Sequence, residues 1–179
     1  VPTDYLALQP TEIHYHPPDA GGLDGESFEF VELTNLGTRT LDLAGLRFTA
    51  GIDFQFPINT PLAPGEVFLL SANGANFTLR FPGVRVDGVY QGRLANSGDT
   101  LTLHHDAGFD LFSFAYQDSA PWPIAADGAG ASLQRLGFHL SPGDSTAWSA
   151  GVPTPGVAPD FSGYDSDGDQ MPDAWEKQF

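Results

Sequence analysis

The chain has no cysteine, and only seven Lys and Arg stand against 23 Asp and Glu. Nowhere is there an apolar run of the roughly eighteen residues a membrane-spanning helix needs. The absence of cysteine excludes disulfides, thiolate zinc ligands and a cysteine nucleophile. The scarcity of basic residues leaves a formal net charge of −16. Phosphate backbones and anionic membrane surfaces repel such a chain, so neither nucleic acid nor a membrane span is expected. Also missing are a Gly-x-Ser-x-Gly elbow, a phosphate-cradling glycine loop and a His-Glu-x-x-His helix. With no convergent catalytic set, the chain is not expected to be an enzyme. It opens in a strand-like stretch rather than a leader, and is expected to be a mature or trimmed portion of a longer protein.

What the 179 residues do contain is 41% hydrophobic side chains, with fourteen Phe and three Trp, too apolar for a disordered chain. Glycine (21) and proline (15) punctuate it at short intervals, which favours short strands and tight turns over long helices. Tyr5 to His16 reads as a strand ending at Pro17-Pro18. Phe28 to Thr34 reads as a second, with both faces partly apolar, as in a central strand covered on both sides. Leu41–Leu43, Leu46–Phe48, Phe54–Phe56 and "VFLL" follow, separated by turn signals such as "LAPGE". "NFTLRFPG" fits either a strand or one helical turn. "TLTLHH" and "FDLFSFAY" read as a hairpin around "DAG", and "ASLQRL" as the last strand. Strand signals at eight-to-twelve-residue spacing, with no 3.6-residue period before residue 170, predict an all-β sandwich or barrel. From Gly151 the texture turns Pro- and Gly-rich and reads as linker.

The C-terminal stretch "DSDGDQMPDAWE" carries the most chemistry. Counting Asp165 as position 1, carboxylates fall at 1, 3, 5, 9 and 12, namely Asp165, Asp167, Asp169, Asp173 and Glu176. Calcium takes six to eight oxygens, and twelve-residue loops supply them at this spacing, with a backbone carbonyl at position 7, here Met171. Without a cation, neighbouring carboxylates repel by about 1 kcal/mol per contact pair even in water. Gln170 stands where the turn normally wants Gly, and Pro172 cannot pair two such loops, so a regular helix-loop-helix hand is not expected. The stretch resembles the single Asp-rich calcium repeats of bacterial surface proteins, related to thrombospondin type 3 repeats and dockerin loops. Calcium is the expected cofactor, and a site of this kind works where calcium is millimolar, outside the cell.

Other segments carry a second resemblance. "TEIHYHPP" with "ESFEFVELTNLGTRTLDLAGLRF", then "FQFPINTPLAPGEVFLL", "LANSGDTLTLHHDAGFDLFSFAYQDSAPWP" and "ADGAGASLQRL", resemble in order the lamin tail domain, bacterial type. Thr11, Ala44 and Gln134 depart from the residues most usual there. The resemblance implies an immunoglobulin-like β-sandwich. It also implies an accessory or interaction role on a secreted or cell-surface bacterial protein. The DNA contacts of nuclear lamin tails use basic surface, which this chain lacks.

Three further constellations stand beside plainer readings. Glu12, His14 and His16 alternate on one strand, a metal-ligand set by residue type, but about 6.5–7 Å apart and so wide for one small ion. Asp118, Trp122 and Asp127 share a loop where an exposed Trp would stack on a sugar ring; the plainer reading is a Trp plugging the end of the sandwich. Glu29 and Glu32 fall on opposite strand faces and cannot act directly as an acid/base pair.

The reading is therefore an immunoglobulin-like β-sandwich over residues 1–157, followed at 158–179 by linker, Asp-rich calcium-binding segment and the start of a short helix. It is a non-catalytic module whose partner is a protein or a cell-surface polymer. The alternative is a glycan- or ligand-binding module using Asp118, Trp122 and Asp127. Third is part of a hydrolase.

Overall fold

Alternating apolar residues put Leu101 and Leu103 on one side of a strand and Phe114 and Tyr116 on the same side of its neighbour, and that side is buried. The computed structural model describes residues 2–161. Its strands are β1 (Leu8–His14), β2 (Phe30–Asn35), β3 (Leu41–Asp42), β4 (Leu46–Ala50), β5 (Ile52–Gln55), β6 (Pro61–Leu62) and β7 (Val67–Ser71). They continue as β8 (Gly88–Val89), β9 (Gln91–Gly92), β10 (Gly98–His105), β11 (Phe109–Gln117), β12 (Ser132–Arg135) and β13 (Trp148–Gly151). One sheet runs β13-β12-β1-β2-β7-β8 and the other β11-β10-β4-β5-β9, with β3 and β6 as a small separate pair. The main core lies between the two large sheets. Ile13, Val31, Leu33, Leu70 and Leu133 face Phe48, Leu101, Leu103, Phe114 and Tyr116 within one buried cluster.

The β10–β11 hairpin turns through Asp106-Ala107-Gly108. Gly108, at φ +91°, donates its N–H to the His105 carbonyl at 2.8 Å, the left-handed glycine such a short loop requires. β2 is buried at all six positions, between β1 and β7. Its inner face, Val31 and Leu33, meets the core. On its outer face Phe30 packs with Leu69 and Phe77. Phe28 belongs to a preceding 3-10 turn (Gly25–Phe28) rather than to the strand.

The ambiguous "NFTLRF" is helical. Helix α1 (Gly74–Arg80) begins where the Asn73 side chain accepts from the Asn76 N–H at 3.1 Å, and stops just before Pro82-Gly83. Phe77 and Phe81 carry it onto Phe30, with ring centroids 5.7 and 5.9 Å away. Seven residues are too few to show a helical period, and tertiary packing decides such a segment. The N-terminal stretch divides too: Thr3–Ala7 is a 3-10 turn, and the strand starts only at Leu8.

Two expectations need correcting. The sequence reading has no strand after residue 136, whereas β13 forms at Trp148–Gly151 and extends the six-stranded sheet. The start of the Pro/Gly-rich segment is not solvated linker. It crosses the outer face of that sheet as a strap, bonded in turn to β12, β1 and β2. Its main-chain N–H groups find partners in buried side chains, which a composition-based reading of a linker does not see.

Candidate functional site

The outer face beneath the strap concentrates buried polar groups. Glu12 and Glu32 are cross-strand partners in the β1–β2 ladder and only 2% and 1% exposed. Directly opposed side chains in such a ladder have Cβ atoms about 4.5–5.5 Å apart. Glu12 receives donors on both oxygens. The Ser132 hydroxyl (2.5 Å) and the Thr154 N–H (2.9 Å) reach Oε1, and the Thr154 hydroxyl (2.9 Å) reaches Oε2. Gln134 Nε2 ties the same strap to β12 through the Val152 carbonyl at 2.7 Å. Glu32 accepts the Gly156 N–H on Oε1, while its buried Oε2 has no partner. Burial, and then the nearby charge of Glu12, push the Glu32 carboxyl well above the usual carboxylate range. Gly156 sits at φ +81°, and a Cβ there would meet Val84 at 3.1 Å, so only glycine seats the strap comfortably. A cavity of about 350 Å³ opens beside it, walled by Thr11, Gln134, Ser149 and Val157.

Two further buried ionisable groups flank this row. His14, on the same outer face, is 1% exposed and neither ring nitrogen has a partner. Burial, then the Arg80 and His16 charges, lower it to about 3. Glu29 points inward instead. Its Oε2 accepts from the Tyr90 hydroxyl (3.0 Å) and the Leu94 N–H (2.9 Å), and burial raises it to about 8. Glu29 and Glu32 thus occupy opposite sides of β2, as their spacing implies.

The set of Glu12 and His14 on β1 with His16 just beyond it does not converge. Glu12 is engaged by Ser132 and Thr154, His14 packs on Phe30 at 5.5 Å, and His16 Nδ1 pairs with Asp127 at 2.5 Å. No group of three or more His, Asp or Glu among the described residues is placed to hold a metal ion. Trp122 is 7% exposed and its ring lies 6.4 Å from that of Trp148. It plugs the end of the sandwich and presents no open face for a sugar. Asp118 is half-buried and Asp127 is taken by His16. Asp165, Asp167, Asp169, Met171, Asp173 and Glu176 lie outside the described residues.

Sequence reasoning missed the Glu12–Glu32 pair and its strap donors, Thr154 and Gly156. The available signal was a Glu inside each of the strand sequences "LQPTEIH" and "FVELTN". Arg135 was missed as well. Its guanidinium bonds the Gly137 and Leu140 carbonyls at 3.1 and 2.9 Å and lies 5.2 Å from the Trp148 ring. Burial lowers it to about 10.

Two antiparallel-rich sheets packed around one core, with a long hairpin on one sheet and a strap over the other, define an immunoglobulin-like β-sandwich protein. Residues 5–118 match the family model of the Lamin Tail Domain, and the chain belongs to that family. Among solved structures it is similar to a DUF4876 family protein from Bacteroides thetaiotaomicron. The TM-score is 0.55 at 15% identity, over 96% of this chain and 75% of that one, which is a likeness of fold. No curated protein matches. Neither family is known as a family of enzymes. No helix among the described residues is long and apolar enough to cross a membrane.

Proposed function

We propose that the chain is a non-catalytic accessory or interaction module of a secreted or cell-surface bacterial protein, and that its C-terminal segment binds calcium. The carrying observation is the spacing of Asp165, Asp167, Asp169, Asp173 and Glu176. Calcium at this segment neutralises the cluster and orders the chain beyond the strap, so that whatever follows leaves the sandwich in one direction. Saturation at about 100 times the dissociation constant adds roughly 2.7 kcal/mol to that ordering. Family membership supports the accessory role. So does the engagement of Glu12, Glu29 and Asp127 in internal hydrogen bonds, which leaves them no free reach toward a substrate.

Calorimetric titration of calcium into the full chain, and into the full chain carrying Asp165→Asn, Asp167→Asn and Asp169→Asn, tests the reading. Heat of binding is expected in the first and not in the second. Equal heat in both would move the site elsewhere. No heat in either at millimolar calcium would refute calcium binding.

A further inference from the structure

We propose that Glu12 and Glu32 form a proton-operated latch. The strap from Val152 to Gly156 stays fastened across the six-stranded sheet while Glu32 carries a proton, and is released when Glu32 ionises. The latch concerns the described residues alone and stands independently of the calcium reading.

Each carboxyl has a distinct part. Glu12 takes an N–H and two hydroxyls, the arrangement of an ionised carboxylate. Glu32 has one donor, the Gly156 N–H, and a second oxygen with none. An ionised Glu32 would place a second negative charge directly across the ladder from Glu12, almost out of contact with water. Two buried like charges at that spacing cannot both persist unless one takes a proton or water enters. The cavity beside the strap reaches the pair, and lifting the strap opens both carboxyls to water fully.

The surrounding charges add to this bias. Asp87, ahead of β8, is paired with the exposed Arg85 and adds negative potential at Glu32. Asp160 lines the same cavity as the two glutamates. On β12 the facing groups, Ser132 and Gln134, are neutral. The Arg135 guanidinium is held by Gly137 and Leu140. His14, two residues from Glu12 on the same face, is neutral down to about pH 3. On β7 the residue opposite Glu32 is Leu69. Val152 is 82% exposed, and Pro155 is the one buried apolar residue between Val152 and Gly156. Hydrogen bonds to two carboxyls and one glutamine hold the strap, together with that single apolar contact. The consequence is a strap that is fixed while Glu32 is protonated and loosened as pH rises through its raised range.

Pulsed hydrogen exchange on the full chain, read by mass spectrometry and corrected for intrinsic rates, tests the latch. Protection of the Thr154 and Gly156 amides is expected to fall tenfold or more as pH is raised stepwise above the usual carboxylate range, ahead of the β2 amides. Glu32→Gln should hold strap protection level across the same pH steps. Glu12→Gln, which turns an amide toward the Thr154 donors, should lower it at every pH. Strap protection that follows the β2 amides throughout the wild-type series would overturn the proposal, and that series needs no variant to fold. A fall of equal size in Glu32→Gln would overturn it too.

Discussion

Glu29→Gln should make the protein more stable at pH 8 and leave it nearly unchanged at pH 5. In the wild type the Glu29 carboxyl is fully buried and titrates near 8 rather than its ordinary 4.5, because burial outweighs the two donors on Oε2. The folded value lies above the unfolded one, so the stabilising contribution is complete below about 4.5 and is lost as pH rises through about 8. Within that window the unfolded chain has released the proton and the folded chain has kept it. Each pH unit then costs about 1.4 kcal/mol, or roughly 5 kcal/mol across the window as an upper figure. For a domain stable by roughly 5–15 kcal/mol this is a large share. Glutamine copies the protonated carboxyl: its oxygen still accepts from Tyr90 and Leu94, and it cannot ionise. Urea denaturation of both proteins from pH 5 to pH 8.5 measures the effect as the difference between their midpoints. Subtracting one series from the other removes every other titrating group. Parallel pH profiles, or a variant less stable than wild type at pH 8, would refute the reasoning.

The remaining predictions concern other parts of the fold. His14 is lowered to about 3, so it stabilises fully above about 6.5 and the stability is lost as pH falls toward 3. His14→Leu should remove that acid sensitivity, a gain over wild type of order 2 kcal/mol in urea at pH 4.5. Asn35→Ala should cost about 3 kcal/mol by chemical denaturation, since the buried amide donates to the Arg39 and Leu62 carbonyls and accepts from Gly37. Asn73→Ala should cost about 1 kcal/mol through loss of the α1 cap. Its circular-dichroism spectrum should remain that of a β-sandwich.

The strands that were legible in the sequence are those with one clear face or two apolar ones. Val31 and Leu33 on β2, "VFLL" at β7 and the β10–β11 pair carry their own period and turn residues, so local pattern and final structure agree. The elements that escaped lack such a pattern. β13 is four residues long and exists because Trp148 and Ala150 find β12 beside them. Helix α1 is too short to declare a period. The candidate site escaped for a similar reason. Glu12 and Glu32 are twenty residues apart in a register set partly by a β-bulge near Pro10–Glu12, and no spacing rule reads across a bulge.

By itself, then, the sequence determined an all-β chain, acidic, without cysteine or a spanning helix, and the order of motifs that marks the lamin tail family. Those properties live in composition, in the two-residue strand period and in turn chemistry, all of them local. Only the tertiary structure decided that Trp122 is a plug rather than a platform, that His14 is sealed in neutral, and that a proline-rich tail is stitched down over two facing glutamates. Each depends on which distant residues meet and how much water remains between them, and that is settled when the sheets pack, not along the chain.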